Sequence, residues 1–337
     1  MNTHININYY IVFLVIPIIL LIFAELIDSI MKFSKEKEDS IIEDYISGLN
    51  TVEIAKKWNT YNTSIRRVLL RRGITPRTSK EVHSRVKVNP FKDNDENSEY
   101  FLGLLLTDGY VAHRGNSSVV TLGLKDKEMV EKFRDFICPR NKVSKILQKK
   151  YNTYMFSTSV RSDLIVDWLE TKGNFHNKSY ECDIYVPLTP HILRGIFDGD
   201  GYWHSTNNGN TKTWGICGKS LVFLEKIRTY LEKQGIVTHL NKRRSNTPNY
   251  LYYLEISKTI DVLKVVNLMY SEAHIYLMRK YEEGHLFVET LREKCAKFKE
   301  GKVSPNPEPS LYKRFTKEGA ETIMRYLSTH DVYMVNG

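Results

Sequence analysis

The segment HILRGIFDGDGYW (residues 191–203) has an earlier counterpart in YFLGLLLTDGYV (residues 100–111). Aligning the two segments places Asp108 on Asp200, 92 positions later in the chain. The sequence after each copy also repeats, as two strand-like runs, an amphipathic helix, two more strand-like runs and a closing helix. A repeat of about 90 residues predicts two similar lobes related by a pseudo-twofold axis, rather than a solenoid.

Glycines occupy matching positions in both copies. Gly103 and Gly195 fall inside the predicted helices, where glycine costs about 1 kcal/mol relative to alanine. That cost is explained if the two helices approach each other closely at these points. Gly109 and Gly201 follow the helices and are expected to end them in the left-handed conformation.

The two aspartates are the candidate catalytic groups. Asp108 and Asp200 are expected at the last position of their helices, the negative end of the helix dipole, which disfavours an acid. Packed about a pseudo-twofold axis, the two carboxylates would lie close together and repel each other. A hard divalent cation would relieve that repulsion. The alternative is that each aspartate only caps its helix, and the occurrence of both at matching positions of a repeat favours the metal site.

Over about residues 98–283 the two segments resemble the LAGLIDADG signature of homing endonucleases, in the single-chain form with two motifs. The resemblance implies an α+β fold of two αββαββα lobes that form a β-saddle over DNA and act as a monomer. It also implies that Asp108 and Asp200 bind Mg²⁺, or Mn²⁺, for strand cleavage. The earlier acid of the motif is present only as Asp198, because the first copy has Leu106 there. The basic residues that the resemblance assigns to the site are Lys125, Lys219, Lys178 and Lys280, with Arg279 as a neighbouring candidate.

Residues 34–75 predict a small all-α helix-turn-helix domain in front of the lobes. Gly48 ends the first helix, Thr51 is expected to cap the second, and Ile65, Val68 and Leu69 face inward from the third. This third helix resembles a recognition helix that enters a major groove. The alternative is a three-helix bundle with a solvated basic face. The outward arginines of the third helix, which are expected to contact phosphates and guanine edges, are Arg66, Arg67, Arg71 and Arg72.

The composition indicates a polyanionic partner. Lys plus Arg number 49 against 39 acids, which gives a net charge of +10, and a basic protein of this kind suits either nucleic acid or an anionic membrane surface. The four cysteines form no C-x-x-C pair, which excludes a disulfide scaffold and a cysteine-based zinc finger. The saddle strands supply further candidate DNA contacts, namely Lys142, Lys145, Lys149, Lys150, Lys242, Arg243 and Arg244.

The chain begins with an apolar run, residues 9–24, that is marginal in length for a membrane span. The sequence that begins at Met31 resembles the natural start of a DNA-binding protein. We therefore expect a cytoplasmic protein, nucleoid-associated or organellar, and disfavour membrane anchoring by the apolar run. The predicted segments are an N-terminal extension (1–30), a helix-turn-helix domain (31–78), a basic linker (79–97), lobe 1 (98–186), lobe 2 (187–284) and a C-terminal tail of unassigned role (285–337).

Together these features predict a site-specific endonuclease that cleaves double-stranded DNA with a divalent metal, as in intron homing. Two alternatives use the same scaffold. One is a catalytically silent, sequence-specific DNA-binding regulator, and the other is an RNA-splicing maturase. Loss of either acid would favour these alternatives, and because both Asp108 and Asp200 are present we favour cleavage.

Overall fold

The chain divides into two compact units, Met1–His83 and Ser84–Gly337, and each is described by itself. The apolar run at residues 9–24 lies outside the described residues. Among the residues that are described, no helix is both long and apolar enough to cross a membrane. The computed structural model describes residues 33–77, 86, 88–114, 117–149, 152–206, 211–244, 250–299 and 317–330.

The described part of the first unit contains three helices, α1 (Lys35–Ile46), α2 (Thr51–Lys57) and α3 (Asn62–Arg71). Asn50, rather than Thr51, caps α2, because its side chain accepts the backbone N–H groups of Val52 and Glu53 while the Glu53 carboxylate accepts the N–H of Asn50. This reciprocal capping box satisfies backbone donors that a helix start leaves free. The core between the helices is formed by Ile41, Tyr45, Ile54, Ala55, Ile65, Val68 and Leu69, which includes the inward residues predicted for α3.

The second unit contains the two predicted lobes. Lobe 1 consists of α4 (Glu96–Thr107), β1 (Gly109–Arg114), β2 (Ser117–Leu124), α5 (Lys127–Ile137), β3 (Ser144–Gln148), β4 (Thr153–Arg161) and α6 (Asp163–Glu170). The connection to lobe 2 carries β5 (Gly173–Asn174), α7 (Lys178–Glu181) and β6 (Asp183–Ile184). Lobe 2 consists of α8 (Pro190–Asp200), β7 (Gly201–Thr206), β8 (Thr211–Gly218), α9 (Leu221–Lys233), β9 (His239–Arg244), β10 (Tyr250–Ile256) and α10 (Thr259–Tyr270).

Both lobes have the same antiparallel sheet. The strand orders are β1-β2-β4-β3 and β7-β8-β10-β9. The registers match as well, since Val120 lies opposite Val111 and Val160 in lobe 1 as Trp214 lies opposite Trp203 and Ile256 in lobe 2. The predicted α+β fold of two αββαββα lobes is confirmed.

Each sheet has one covered face and one open face. On the covered face, helices α5 and α6 pack against the sheet of lobe 1, and α9 and α10 against that of lobe 2. Val120, Val160, Trp214 and Leu254 are buried there. Because side chains alternate along a strand and directly opposed residues share a face, the remaining strand positions define the open face of each lobe.

The motif helices α4 and α8 pack against each other and join the lobes. A Cβ on Gly103 would overlap the carbonyl of Ile192, and a Cβ on Gly195 would overlap the carbonyl of Tyr100. The predicted close approach is therefore confirmed.

The prediction for the second pair of glycines is wrong. Neither Gly109 nor Gly201 has a positive φ, and Gly201 is extended, with φ −77° and ψ 161°. Both instead begin the first strand of their sheet, where a Cβ would collide with the preceding turn, at Leu105 and Phe197 respectively. Glycine is needed here for space and not for backbone freedom.

The C-terminal region continues the fold. Helix α11 (Met278–Lys299) runs through the boundary predicted at residue 284, and α12 (Lys317–Thr329) follows. Phe287, Val288 and Ile323 from these helices belong to the same core as the lobes. The described part of the predicted tail is thus a packed extension of the second unit.

Candidate active site

Asp108 and Asp200 lie at the points where the two motif helices turn into the sheets. Asp108 caps the C-terminus of α4, and Asp200 is the last residue of α8. Because α4 and α8 pack side by side, the two carboxylates come from neighbouring helix ends. Both aspartates have solvent-exposed side chains, although neighbouring protein atoms displace part of the water around the carboxylates.

The protonation equilibria of both acids reflect this environment. Burial raises the pKa of Asp200 to about 6, and the Asp108 carboxylate adds to the rise while Lys178 and Lys280 oppose it. Burial also raises the pKa of Asp108, again against Lys178 and Lys280. Close, partly desolvated carboxylates of this kind are destabilised when ionised, and a cation placed between them would remove that cost.

Two of the predicted lysines cap the motif helices. Lys178 Nζ donates to the backbone carbonyls of Leu105 (3.0 Å), Thr107 (2.6 Å) and Gly109. Lys280 Nζ donates to Phe197 (2.5 Å), Asp198 (2.7 Å), Gly199 (3.3 Å) and Gly201 (2.7 Å). The shared pattern is one ammonium group held at equivalent carbonyls of each motif helix.

This capping changes the interpretation of Lys178 and Lys280. The last carbonyls of a helix lack partners within it and carry the negative end of the dipole. An ammonium group has three N–H donors, and here carbonyls take them up. Burial lowers the pKa of Lys280 to about 8 and also lowers that of Lys178. Both lysines therefore cap the helix ends that carry the aspartates, and their ammonium groups are held by backbone carbonyls rather than by bulk solvent.

The other two predicted lysines differ from each other. Lys219 Nζ donates to the Tyr180 hydroxyl (3.2 Å) and lies 4.6 Å from the centre of its ring. Lys219 and Asp200 line one cavity of about 270 Å³ together with Cys217. Lys125 is exposed, and within the described residues it has no ion pair. Near it, Arg279 donates to Asp126 (3.3 Å), so the two halves of the site are not chemically identical.

Asp198 is separate from the two surface aspartates. Its carboxylate is fully buried and accepts the Tyr100 hydroxyl (2.7 Å) and the Leu277 N–H (2.7 Å). Burial raises its pKa to about 6. Because Tyr100 belongs to α4, this acid links the lobes, and Leu106 at the matching position of lobe 1 packs as a buried apolar residue.

A second link between the lobes was missed by the sequence reasoning. Arg194, buried in α8, donates to the carbonyls of Met269 (2.6 Å) and Ile275 (2.8 Å) and to the Glu96 carboxylate (2.5 Å) at the start of α4. The signal that could have found it was an arginine within an apolar motif, where lobe 1 has Leu102.

The donor set suits a hard cation that takes few protein ligands. Among the described residues, no group of three or more His, Cys, Asp or Glu side chains could hold a metal ion. Asp108 and Asp200 supply two carboxylates, and Mg²⁺ is commonly bound by one or two carboxylates together with phosphate oxygens and water. The residues present therefore fit Mg²⁺ or Mn²⁺.

The four arginines on α3 and at its C-terminal cap fall into two pairs. Arg71 donates to Glu38 (2.6 Å), and Arg72 donates to Glu38 (3.1 Å) and Asp39 (2.8 Å). Arg66 and Arg67 are exposed, and neither has an ion pair within the described chain. The structure thus gives Arg71 and Arg72 intramolecular partners and leaves Arg66 and Arg67 open to solvent.

Strand alternation separates the predicted saddle contacts. Lys145 lies opposite Phe156, on the covered side of the sheet, with Nζ 3.8 Å from the Tyr154 ring centre. Lys242 occupies the equivalent position in lobe 2, with Nζ 3.7 Å from the Tyr250 ring centre.

Arg243, one residue further along, falls on the open face. Lys142 and Lys149 are exposed beside β3. Lys150 and the side chain of Arg244 lie outside the described residues.

Known proteins resemble this chain to different extents. Residues 191–269 match the family model described as a LAGLIDADG-like domain. An uncharacterized protein of Methanocaldococcus jannaschii is 29% identical over 187 residues, which is 51% of this chain and 67% of that protein. Variants of the homing endonuclease I-DmoI align at 18% identity with a TM-score of 0.40, over 59% of this chain and 100% of theirs. The meganuclease I-SmaMI, solved bound to uncleavable DNA, aligns at 13% identity with a TM-score of 0.43, over 72% of this chain and 96% of its own.

Proposed function

We propose that this chain, in which the predicted LAGLIDADG resemblance is confirmed by the family match over lobe 2, is a metal-dependent, site-specific endonuclease acting on double-stranded DNA. The observation that carries the proposal is the paired placement of Asp108 and Asp200. They occupy equivalent positions at adjoining helix ends, and each helix end is held by its own lysine. One chain thus supplies both halves of the site, which supports action as a monomer.

The residues of the site have separate tasks. Asp108 and Asp200 would hold a divalent cation against the scissile phosphates, and that cation would lower the pKa of the attacking water and offset charge on the leaving oxygen. Lys178 and Lys280 keep the two carboxylates at fixed positions by anchoring the carbonyls on either side of them. Lys219, which Tyr180 orients, is placed to offset phosphate charge on the Asp200 side.

DNA binding would use two surfaces. The open faces of the two lobes extend from the aspartates, because β1 and β7 begin directly after them. In the first unit, the exposed Arg66 and Arg67 on α3 are suited to phosphate or guanine contacts. The ion pairs of Arg71 and Arg72 make those two residues stabilising elements of the helical unit and weaker candidates for DNA contact.

The test is direct. The full chain is incubated with Mg²⁺ and a library of duplex sites, and the new DNA ends are sequenced. We expect cuts at one site family, dependent on Mg²⁺ or Mn²⁺, and none with Asp108→Asn plus Asp200→Asn. A parent protein that binds one site tightly without cutting, with either metal, would support a regulator and overturn the proposal.

A further inference from the structure

The open face of lobe 2 carries a charged network centred on Glu255. Its carboxylate accepts the Tyr202 hydroxyl (2.8 Å), the Asn241 amide (3.3 Å) and the Arg243 guanidinium (3.0 Å). The guanidinium carbon of Arg243 also lies 4.4 Å from the centre of the Tyr253 ring. The Glu255 side chain is only 17% exposed, whereas that of Arg243 is 56% exposed. Arg243 is therefore held in place by contacts within the sheet, while more than half of its side chain stays exposed to solvent.

The matching positions of lobe 1 are chemically different. Because the two sheets share strand order and register, Val160 opposite Val120 corresponds to Ile256 opposite Trp214. Counting from these pairs through the outer strands puts Ile146 at the position of Arg243 and Ser159 at that of Glu255. Ile146 is 57% exposed, and Ser159 hydrogen bonds to Thr121 (2.7 Å). An oriented cation in one lobe is replaced by an exposed apolar side chain in the other.

The network suits a base edge better than a phosphate. Glu255 offsets much of the charge of Arg243, which weakens attraction to the DNA backbone. An acid on a DNA-facing surface is also repelled by phosphate unless its partner shields it. A planar guanidinium held in one orientation can donate two hydrogen bonds to the O6 and N7 atoms of guanine, and an apolar side chain can contact the methyl group of thymine.

We propose that Arg243, oriented by Glu255 and Tyr253, is a specificity-determining residue that reads a guanine in the half-site facing lobe 2. Ile146 takes the symmetry-related position in lobe 1 and favours thymine there, so the recognised duplex is asymmetric at these two positions. This inference rests on the proposed function, since it requires the open faces to meet DNA.

The experiment measures base preference without cleavage. The full chain is mixed with randomised duplexes in EDTA, and bound DNA is sequenced for the parent, Arg243→Ile and Glu255→Gln. We expect the parent to prefer guanine at one position by about tenfold to a hundredfold, as one good bidentate contact provides. Arg243→Ile should lose that preference, and Glu255→Gln should weaken it. Lys233→Ala, which removes a cation of α9 on the covered side of the same lobe, is the matched control and should leave every base preference unchanged.

A reciprocal variant tests the idea in the other lobe. Ile146→Arg with Ser159→Glu should gain a guanine preference at the symmetry-related position. If Arg243→Ile keeps the parent preferences and only lowers the salt dependence of binding, by a log–log slope of about 0.9, then Arg243 contacts phosphate and the inference is wrong. A parent that selects no sequence at all would contradict the proposed function instead, so the two failures are distinguishable.

Discussion

Replacing Asp200 by asparagine should stabilise the protein at neutral pH while abolishing normal cleavage. The folded-state pKa of Asp200 is raised from 3.8 to about 6, so the ionised carboxylate is disfavoured in the folded chain. Fully expressed, that shift corresponds to about 3 kcal/mol. Because Asp200 is open to solvent, screening reduces the expected gain to about 1 kcal/mol.

The direction of this pKa shift sets the pH range over which Asp200→Asn stabilises the protein. An acid whose pKa is raised on folding costs nothing below its unfolded pKa of 3.8 and its full amount above about 6. Asparagine carries no charge at either pH. The advantage of Asp200→Asn should therefore be complete at pH 7.5 and mostly absent at pH 4. For a unit of this size, about 1 kcal/mol corresponds to a rise in Tm of about 2–4 °C.

The assay is thermal unfolding of the full chain at both pH values, with and without Mg²⁺. Asp167→Asn, which removes an exposed acid of α6 outside the site, is the matched control and should give no rise in Tm at pH 7.5. At Mg²⁺ ten times above its Kd, the parent should gain a further ~1.4 kcal/mol, and Asp200→Asn should gain less. A variant that is less stable than the parent at pH 7.5 would refute the reasoning, because it would show that the fold stabilises the ionised carboxylate.

Three further outcomes follow from the described contacts. Lys280→Met should leave the end of α8 uncapped, lower Tm and reduce cleavage more than tenfold at unchanged DNA affinity. Full activity of this variant in a cleavage assay would show that Lys280 does not position Asp200. Arg66→Ala with Arg67→Ala should weaken DNA binding and reduce its log–log salt slope by about 0.9 for each phosphate that is no longer neutralised. Arg72→Ala removes ion pairs to Glu38 and Asp39 and should chiefly lower Tm, with little effect on DNA binding. Burial alone would raise the pKa of Glu96, but hydrogen bonds from the His274 region and the charge of the buried Arg194 hold it below its ordinary value of 4.5. The ionised Glu96 carboxylate therefore stabilises the fold at neutral pH, and that stabilisation disappears as the pH falls through the folded-state pKa. Glu96→Gln should cost about 3 kcal/mol at pH 7, and urea unfolding at several pH values should show a smaller loss of stability at acidic pH than in the parent.

The repeated motif was sufficient to predict the architecture. Periodicity and spacing are properties of the chain itself, so two copies of one αββαββα pattern predict two lobes of one topology. The helix glycines were informative for the same reason. Gly103 and Gly195 have no local justification in a helix, and the carbonyls that a Cβ would overlap belong to the partner helix. Pairing of the helices then places Asp108 and Asp200 at neighbouring ends.

Roles that depend on partners distant in sequence could not be predicted. Arg71 and Arg72 resemble their exposed neighbours in the sequence, but α1 brings Glu38 within reach of both. Lys242 and Arg243 are adjacent residues, and the sheet register places them on opposite faces.

Lys178 and Lys280 show most clearly that a role set by residues distant in sequence cannot be predicted from the sequence alone. Nothing in the local sequence distinguishes them from other lysines of a basic chain. The sequence determined the helices, the strands and the paired acids, because those depend on local backbone geometry and apolar periodicity. Only the tertiary structure decided which lysines lose their solvent, because capping a motif helix requires carbonyls about 70 to 80 residues away to meet one ammonium group.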